Sequence, residues 1–249
     1  MRKLVLHIPH SSAVIPDFEG YVSTEYDIQQ EIIKLTDWYT DDLFDSESDD
    51  KIITPFSRIF CDVERFADDE LEIMSKFGMG ALYEKLDNGN QLRIVSSKLK
   101  SDVLKDYYWK HHNRLDDAVK NHLDQTKSCL ILDCHSFPSS PLTRALVQDE
   151  IRPDFNIGTD SYHTPKYIID ESINYFETNG YTLGVDTPYS GSIVPMEYYQ
   201  KDPRVASIML EVNRGLYLKE NSNEKSENYF KTLRNGTHIA SPAIDFIFS

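Results

Sequence analysis

No apolar run in this chain approaches the roughly 18 residues that a membrane span needs, so no transmembrane helix is expected. Arg2-Lys3 leads into a strand-like run that Pro9 and His10 interrupt, which makes a poor signal-peptide core. Basic charge is scarce: 26 Lys and Arg stand against 41 Asp and Glu, a net charge of −15. Such a chain repels phosphate backbones, so nucleic acid is not an expected partner. Cysteine is scarce too, with only Cys61, Cys129 and Cys134 and no C-x-x-C spacing. That excludes a disulfide framework and a cysteine-rich zinc site, and a reducing, cytoplasmic compartment is expected. No G-x-G-x-x-G, P-loop or G-x-S-x-G elbow occurs, so nucleotide-fold and serine-hydrolase readings lose support. Repeats, low-complexity tracts and Gly/Ser linkers are missing, and residues 1–249 are expected to form one domain.

What is present is an alternation of short apolar runs with helical patterns. Lys3–Ile8, Lys51–Thr54, Arg58–Val63, Cys129–Cys134, Phe155–Ile157, Tyr181–Val185 and Val205–Val212 read as strands. Helices are predicted over Tyr26–Phe44, Asp102–Leu123 (capped by Ser101), Pro165–Thr178 and Asn223–Leu233. Cys129–Cys134 is almost continuously apolar, as a strand in the middle of a parallel sheet should be. Strands separated by helices imply right-handed crossovers and an α/β fold, its mostly parallel sheet covered on both faces.

Two of these runs end in a His-Ser pair: His10-Ser11 after Pro9, and His135-Ser136 after Cys134. Ligands bind outside the carboxyl ends of strands in open α/β sheets, so the two histidines are placed to converge. Pro9 removes a donor and ends strand pairing, which turns His10 out at the sheet rim. Asp133 alternates with His135 and shares its side, as a carboxylate that fixes a ligating imidazole would. Asp37 lies within an apolar stripe, where an aspartate is costly unless paired or bound to a cation. With His10 and His135 it makes a His₂-carboxylate set, the pattern of a catalytic zinc site. The alternative is that Asp37 merely begins an exposed acidic stretch. Zinc–nitrogen bonds of about 2.0–2.1 Å would bring the ring nitrogens within roughly 3–4 Å, and a separation beyond about 8 Å rules out a shared site.

Glu211, at the end of the last strand, is placed to move a proton; its structural alternative is an ion pair with Arg214 or Arg204. Arg58 and Arg65 flank Asp62-Val63-Glu64 and are suited to clamping a carboxylate, unless they pair with neighbouring acids. Arg144 is a further anion-binding candidate. Ser190 and Gly191 sit in a loop where hydroxyls and close backbone approach can serve a ligand, or a plain turn. His163 lies near another strand-end loop.

Taken together these segments resemble the N-formylglutamate amidohydrolase family. The stretches that carry the resemblance are His7-Ile8-Pro9-His10-Ser11-Ser12, Arg58 through Asp62-Val63-Glu64-Arg65, Asp133-Cys134-His135-Ser136, Phe155–Thr159, Pro188-Tyr189-Ser190-Gly191 and Glu211-Val212-Asn213-Arg214. The resemblance implies a zinc-carboxypeptidase-like three-layer α/β/α sandwich with a mostly parallel mixed sheet. It also implies metal-dependent hydrolysis of a C–N amide bond in a small anionic N-acyl amino acid, such as N-formyl-L-glutamate in histidine breakdown. The implied metal ligands are His10, Asp37 and His135, holding Zn²⁺ or another divalent metal. Glu211 is the implied general base, and Arg65, with Arg58, the carboxylate clamp. One position departs: related metallo-acylases carry asparagine where this chain has Glu64. The other readings are a carboxypeptidase-like peptide amidase and a non-catalytic binding protein on the same scaffold. The oligomeric state is left open.

Overall fold

The computed structural model describes residues 3–219, 222–227 and 229. The chain opens with β1 (Val5–Ile8), a fully buried run. α1 (Glu25–Leu35) follows, capped by the Thr24 hydroxyl, which accepts from the Asp27 amide. Next come the single-turn α2 (Thr40–Leu43) and β2 (Asp50–Ile53). α3 (Ser97–Val103) passes through a π turn at Leu104–Tyr108 into α4 (Trp109–Thr126). β3 (Cys129–Phe137), β4 (Phe155–Gly158), α5 (Lys166–Thr178), β5 (Leu183–Val185) and β6 (Val205–Asn213) complete the set.

The strands form one six-stranded sheet in the order β2-β1-β3-β6-β4-β5. Every pairing is parallel except β4 against β6, so the sheet is mixed and mostly parallel, as expected. Side chains alternate across it. Val5, Ile131 and Val205 meet Leu115, Val119 and Leu123 of α4 on one face. Leu6, Ile8, Leu132 and Ile208 meet Leu43, Phe44 and the α5 residues Ile168 and Phe176 on the other. Helices therefore cover both faces, the expected α/β sandwich. His7, Asp133, His135 and Glu211 fall in the same alternation as Val5, Ile131 and Val205, so they stand on the α4 face. The register places His7 opposite Asp133 and His135 opposite Glu211.

Four local expectations need correction. The single helix over Tyr26–Phe44 breaks after Leu35: Thr36 is extended (ψ 133°), and Tyr39 is left-handed (φ 62°). The Asp37 amide leaves the helical ladder to donate to the His10 carbonyl at 3.0 Å. Arg58–Val63 is a buried run of turns rather than a strand, because Asp62 donates its amide to Ala81 and gathers side chains around its carboxylate. The long helix starts earlier than Asp102, with Ser96, not Ser101, accepting from the Leu99 amide as cap. β3 continues past Cys134, so His135 lies in the strand itself. The helix expected over Asn223–Leu233 lies largely outside the described residues; near its expected start, Lys225 bridges to Leu218. Among the described residues, all three cysteines are buried, and no helix is long and apolar enough to cross a membrane.

Candidate metal and active site

β1, β3 and β6 are parallel neighbours, so their carboxyl ends open at the same edge. A cavity of about 570 Å³ lies there. That volume suits a small molecule. His10, Asp37, His135 and Glu211 all line it.

The His10 and His135 rings lie with centroids 5.1 Å apart, well inside the limit for a shared site. Asp37 comes from the helix break between α1 and α2. Its Oδ2 is 3.0 Å from His135 Nδ1 and 3.6 Å from His10 Nδ1. Ligand atoms of the three residues all fall within 4.8 Å of one another, and all three residues are buried. Each imidazole is fixed from behind. His10 Nε2 lies 2.9 Å from Asp62 Oδ1, and His135 Nε2 lies 3.1 Å from Asp133 Oδ1. A carboxylate accepts from the nitrogen that carries the proton, so in both neutral rings Nδ1 holds a lone pair aimed at Asp37. Lone pairs facing a carboxylate oxygen repel unless a proton or a cation lies between them. His10 Nδ1 is buried and has no hydrogen-bond partner. The donor set and this orphaned nitrogen both fit a divalent metal.

Other groups hold the ligands in place. Arg214 Nη2 donates to Asp37 Oδ1 at 2.7 Å, and its Nε donates to the Ser136 hydroxyl at 3.1 Å. Burial raises the Asp37 pKa, but the adjoining His10 and His135 imidazoles and the Arg214 charge outweigh it and hold the carboxyl well below the usual range. Asp62 is held low in the same way, its burial outweighed first by Arg58. His135 is raised, because Glu64 and Asp133 overcome the burial that would keep it neutral. The cluster therefore favours positive charge at its centre.

Glu211 behaves differently. Its Oε2 is buried without a hydrogen-bond partner, and burial pushes its carboxyl up to about 7. Neither ion pair considered for it forms: Arg214 binds Asp37 and Arg204 binds Asp202. A carboxyl of this kind can take and return a proton near neutrality.

The arginines divide. Arg58 lines the cavity, yet its Nε and Nη2 both donate to Asp62 Oδ2, at 3.1 and 2.9 Å. Arg65 also lines it; its Nε is buried, lacks a hydrogen-bond partner and stands 3.9 Å from Asp62. Arg144 reaches the rim while its Nε donates to the Asp87 carbonyl at 3.1 Å. Ser190 and Gly191 line the wall, and Gly191 takes φ 88°. A Cβ on Gly158 would come within 2.2 Å of the Gly191 carbonyl, so that glycine lets the loop seat against β4. His163 stays outside: its Nδ1 donates to the Val205 carbonyl at 2.7 Å and its Nε2 accepts from the Gln200 amide at 2.8 Å.

In the sequence Asp62 and Arg214 stand out only as possible ion-pair partners. The i,i+4 spacing of Arg58 and Asp62 was the available signal. Nothing local pointed to Arg214, whose partners are far away in the chain.

The N-formylglutamate amidohydrolase family profile matches residues 2–218. The chain belongs to the N-formylglutamate amidohydrolase family. The fold is similar to that of N-formylglutamate amidohydrolase from Ralstonia eutropha JMP134, with a TM-score of 0.82 at 20% identity, covering 98% of this chain and 93% of that one. It is also similar to a gene product of Agrobacterium tumefaciens, with a TM-score of 0.57 at 14% identity over 97% of this chain and 91% of that one. No curated protein sequence matches the chain. At these identities the structural likeness establishes the fold, and the family profile establishes the amidohydrolase kinship.

Proposed function

We propose that this amidohydrolase is metal-dependent and hydrolyses the C–N amide bond of a small anionic N-acyl amino acid, with N-formyl-L-glutamate as the reference substrate. The observation that carries this reading is the convergence of His10, Asp37 and His135 on one point beside the unpartnered carboxyl of Glu211. His10 Nδ1, His135 Nδ1 and an Asp37 oxygen would hold the metal. A bound divalent cation, zinc by this donor set, supplies Lewis-acid polarisation of the amide carbonyl and a more acidic water.

The remaining work falls to side chains. Glu211 Oε2 accepts a proton from the attacking water and returns it to the amide nitrogen as the C–N bond breaks. The acyl group leaves as a carboxylate and the amino acid as a free amine. Arg65, with an unpartnered Nε, is placed to hold the substrate's α-carboxylate. Asp62 and Asp133 keep the imidazoles in the ligating tautomer. Arg214 keeps Asp37 ionised and aimed.

The test uses the full chain, freed of metal by chelation and then given zinc. The freed amine is measured with N-formyl-L-glutamate, other N-formyl amino acids, N-acetylglutamate and short peptides, and formate also for the N-formyl substrates. Metal-dependent turnover of an N-acyl amino acid is expected. Failure to turn over any of them with zinc present overturns the proposal, and preference for peptides moves the substrate class to a peptide amidase.

A further inference from the structure

The Glu64 side chain stands among three histidines. Oε2 lies 3.1 Å from His135 Nε2 and 3.7 Å from His10 Nδ1. Oε1 lies 3.6 Å from His7 Nδ1. His7 Nδ1 lies in turn 2.8 Å from Asp133 Oδ1. Ligand atoms of His7, Glu64 and Asp133 all fall within 4.8 Å of one another.

We infer that His7, Glu64 and Asp133 form a second divalent-cation site next to the first, with the Glu64 carboxylate reaching toward both. The proposal rests on the first site being a metal site, as argued above. Nitrogen and oxygen donors sharing a zinc ion lie roughly 3–4 Å apart, which the His7–Glu64 separation already meets. One Glu64 oxygen faces the His7 side and the other faces His10, the arrangement of a carboxylate that bridges two ions.

The surroundings of His7 fit a ligand. Its ring is fully buried, and its Nε2 lies 2.8 Å from His111 Nε2. His111 Nδ1 lies 3.1 Å from the Thr54 hydroxyl. A hydroxyl can donate or accept, so this chain satisfies either tautomer of His7. In one, His7 Nδ1–H donates to Asp133, and Thr54 donates to His111. In the other, Nε2–H donates to His111, whose Nδ1–H donates to Thr54. The second leaves a lone pair on His7 Nδ1 between two carboxylate oxygens, with His111 and Thr54 still paired. A cation can take the place of that proton. Asp133 Oδ2 accepts from the Ile193 amide at 3.1 Å, which orients the other oxygen, Oδ1, toward His7. Glu64 and Asp133 both line the cavity, so an ion has a path in. With glutamine or asparagine at position 64, the site loses its bridging charge.

The experiment counts ions. Chelator-treated full chain is titrated with Zn²⁺ alone, desalted and analysed for metal, alongside Glu64→Gln and Asp37→Asn, with circular dichroism confirming that each is folded. Two zinc ions per wild-type chain are expected, falling to one in each variant. Mn²⁺-loaded wild type should show the exchange-coupled spin-resonance signal of two ions roughly 3.5–4 Å apart, a readout that needs no variant. One ion in wild type that is lost in Asp37→Asn but kept in Glu64→Gln overturns the second site and leaves the first intact. No ion in wild type overturns both. Two ions in Glu64→Gln overturn the assignment of Glu64.

Discussion

Glu211 shows how much a single position can mean. It ends a buried strand, its register partner is His135, and one carboxylate oxygen has no partner. Glu211→Gln keeps the shape and removes the proton acceptor. The variant is expected to lose about 10²–10⁴-fold in kcat while its melting temperature stays the same or rises, because general-base catalysis contributes on that scale. Steady-state assay with thermal melting checks it; near-normal kcat would show that another group moves the proton. Glu31 is buried for a structural reason instead, accepting from the Asp87 amide at 2.6 Å. Burial pushes its carboxyl from an ordinary 4.5 up to about 7. A raised carboxyl binds its proton more tightly in the folded chain, so its contribution is complete below about pH 4.5 and is lost as pH rises through 7. Glu31→Gln should therefore be more stable than wild type at pH 8 by on the order of 2 kcal/mol, with the two converging below pH 5. Denaturant unfolding across that range is the measurement, and a constant difference would remove the titration from the account.

Elements are where local pattern and tertiary demand part. Tyr26–Phe44 carries a helical stripe, yet the chain breaks at Thr36 to bring Asp37 to His10 and His135. The stripe is satisfied by either structure; the Asp37 amide bond to the His10 carbonyl decides between them. Arg58–Val63 has the apolar content of a strand, but its Asp62 collects His10, Arg58 and Tyr83, and the segment turns around that carboxylate. A pattern of hydrophobicity does not register a buried charge whose partners are distant. Where ends follow local chemistry they were legible: Pro165 and Asn179-Gly180 bound α5 as expected. α4 ends with Lys127 in the left-handed conformation (φ 66°), a position that favours glycine. Lys127→Gly is expected to stabilise the fold by about 0.5–1 kcal/mol, raising the melting temperature by roughly 2 °C. A drop on substitution would mean that the lysine side chain contributes more than its backbone strain costs.

At the scale of the molecule, four parallel strands bring three strand ends to one edge, and helices on both faces leave that edge open. A ligand of the folded site alone must stabilise the whole. Zinc at one hundred times its dissociation constant should add about 2.7 kcal/mol for each ion bound, several degrees of melting temperature, and the gain should be smaller in Asp37→Asn, which loses one of the two ions. Thermal melts with and without zinc decide it, and an equal shift in the variant would place the metal elsewhere.

The α/β class, the order of the strands along the chain and the identities of His10, His135, Asp37 and Glu211 as candidates were determined by sequence alone. They depend on period, composition and residue chemistry, which are local. Only the tertiary structure decided that Asp37 leaves its helix, that Arg214 holds Asp37, and that His7 and Glu64 face one another. Each of these depends on a buried charge finding partners tens to hundreds of residues away, and desolvation makes such pairing compulsory without leaving any mark on the local pattern.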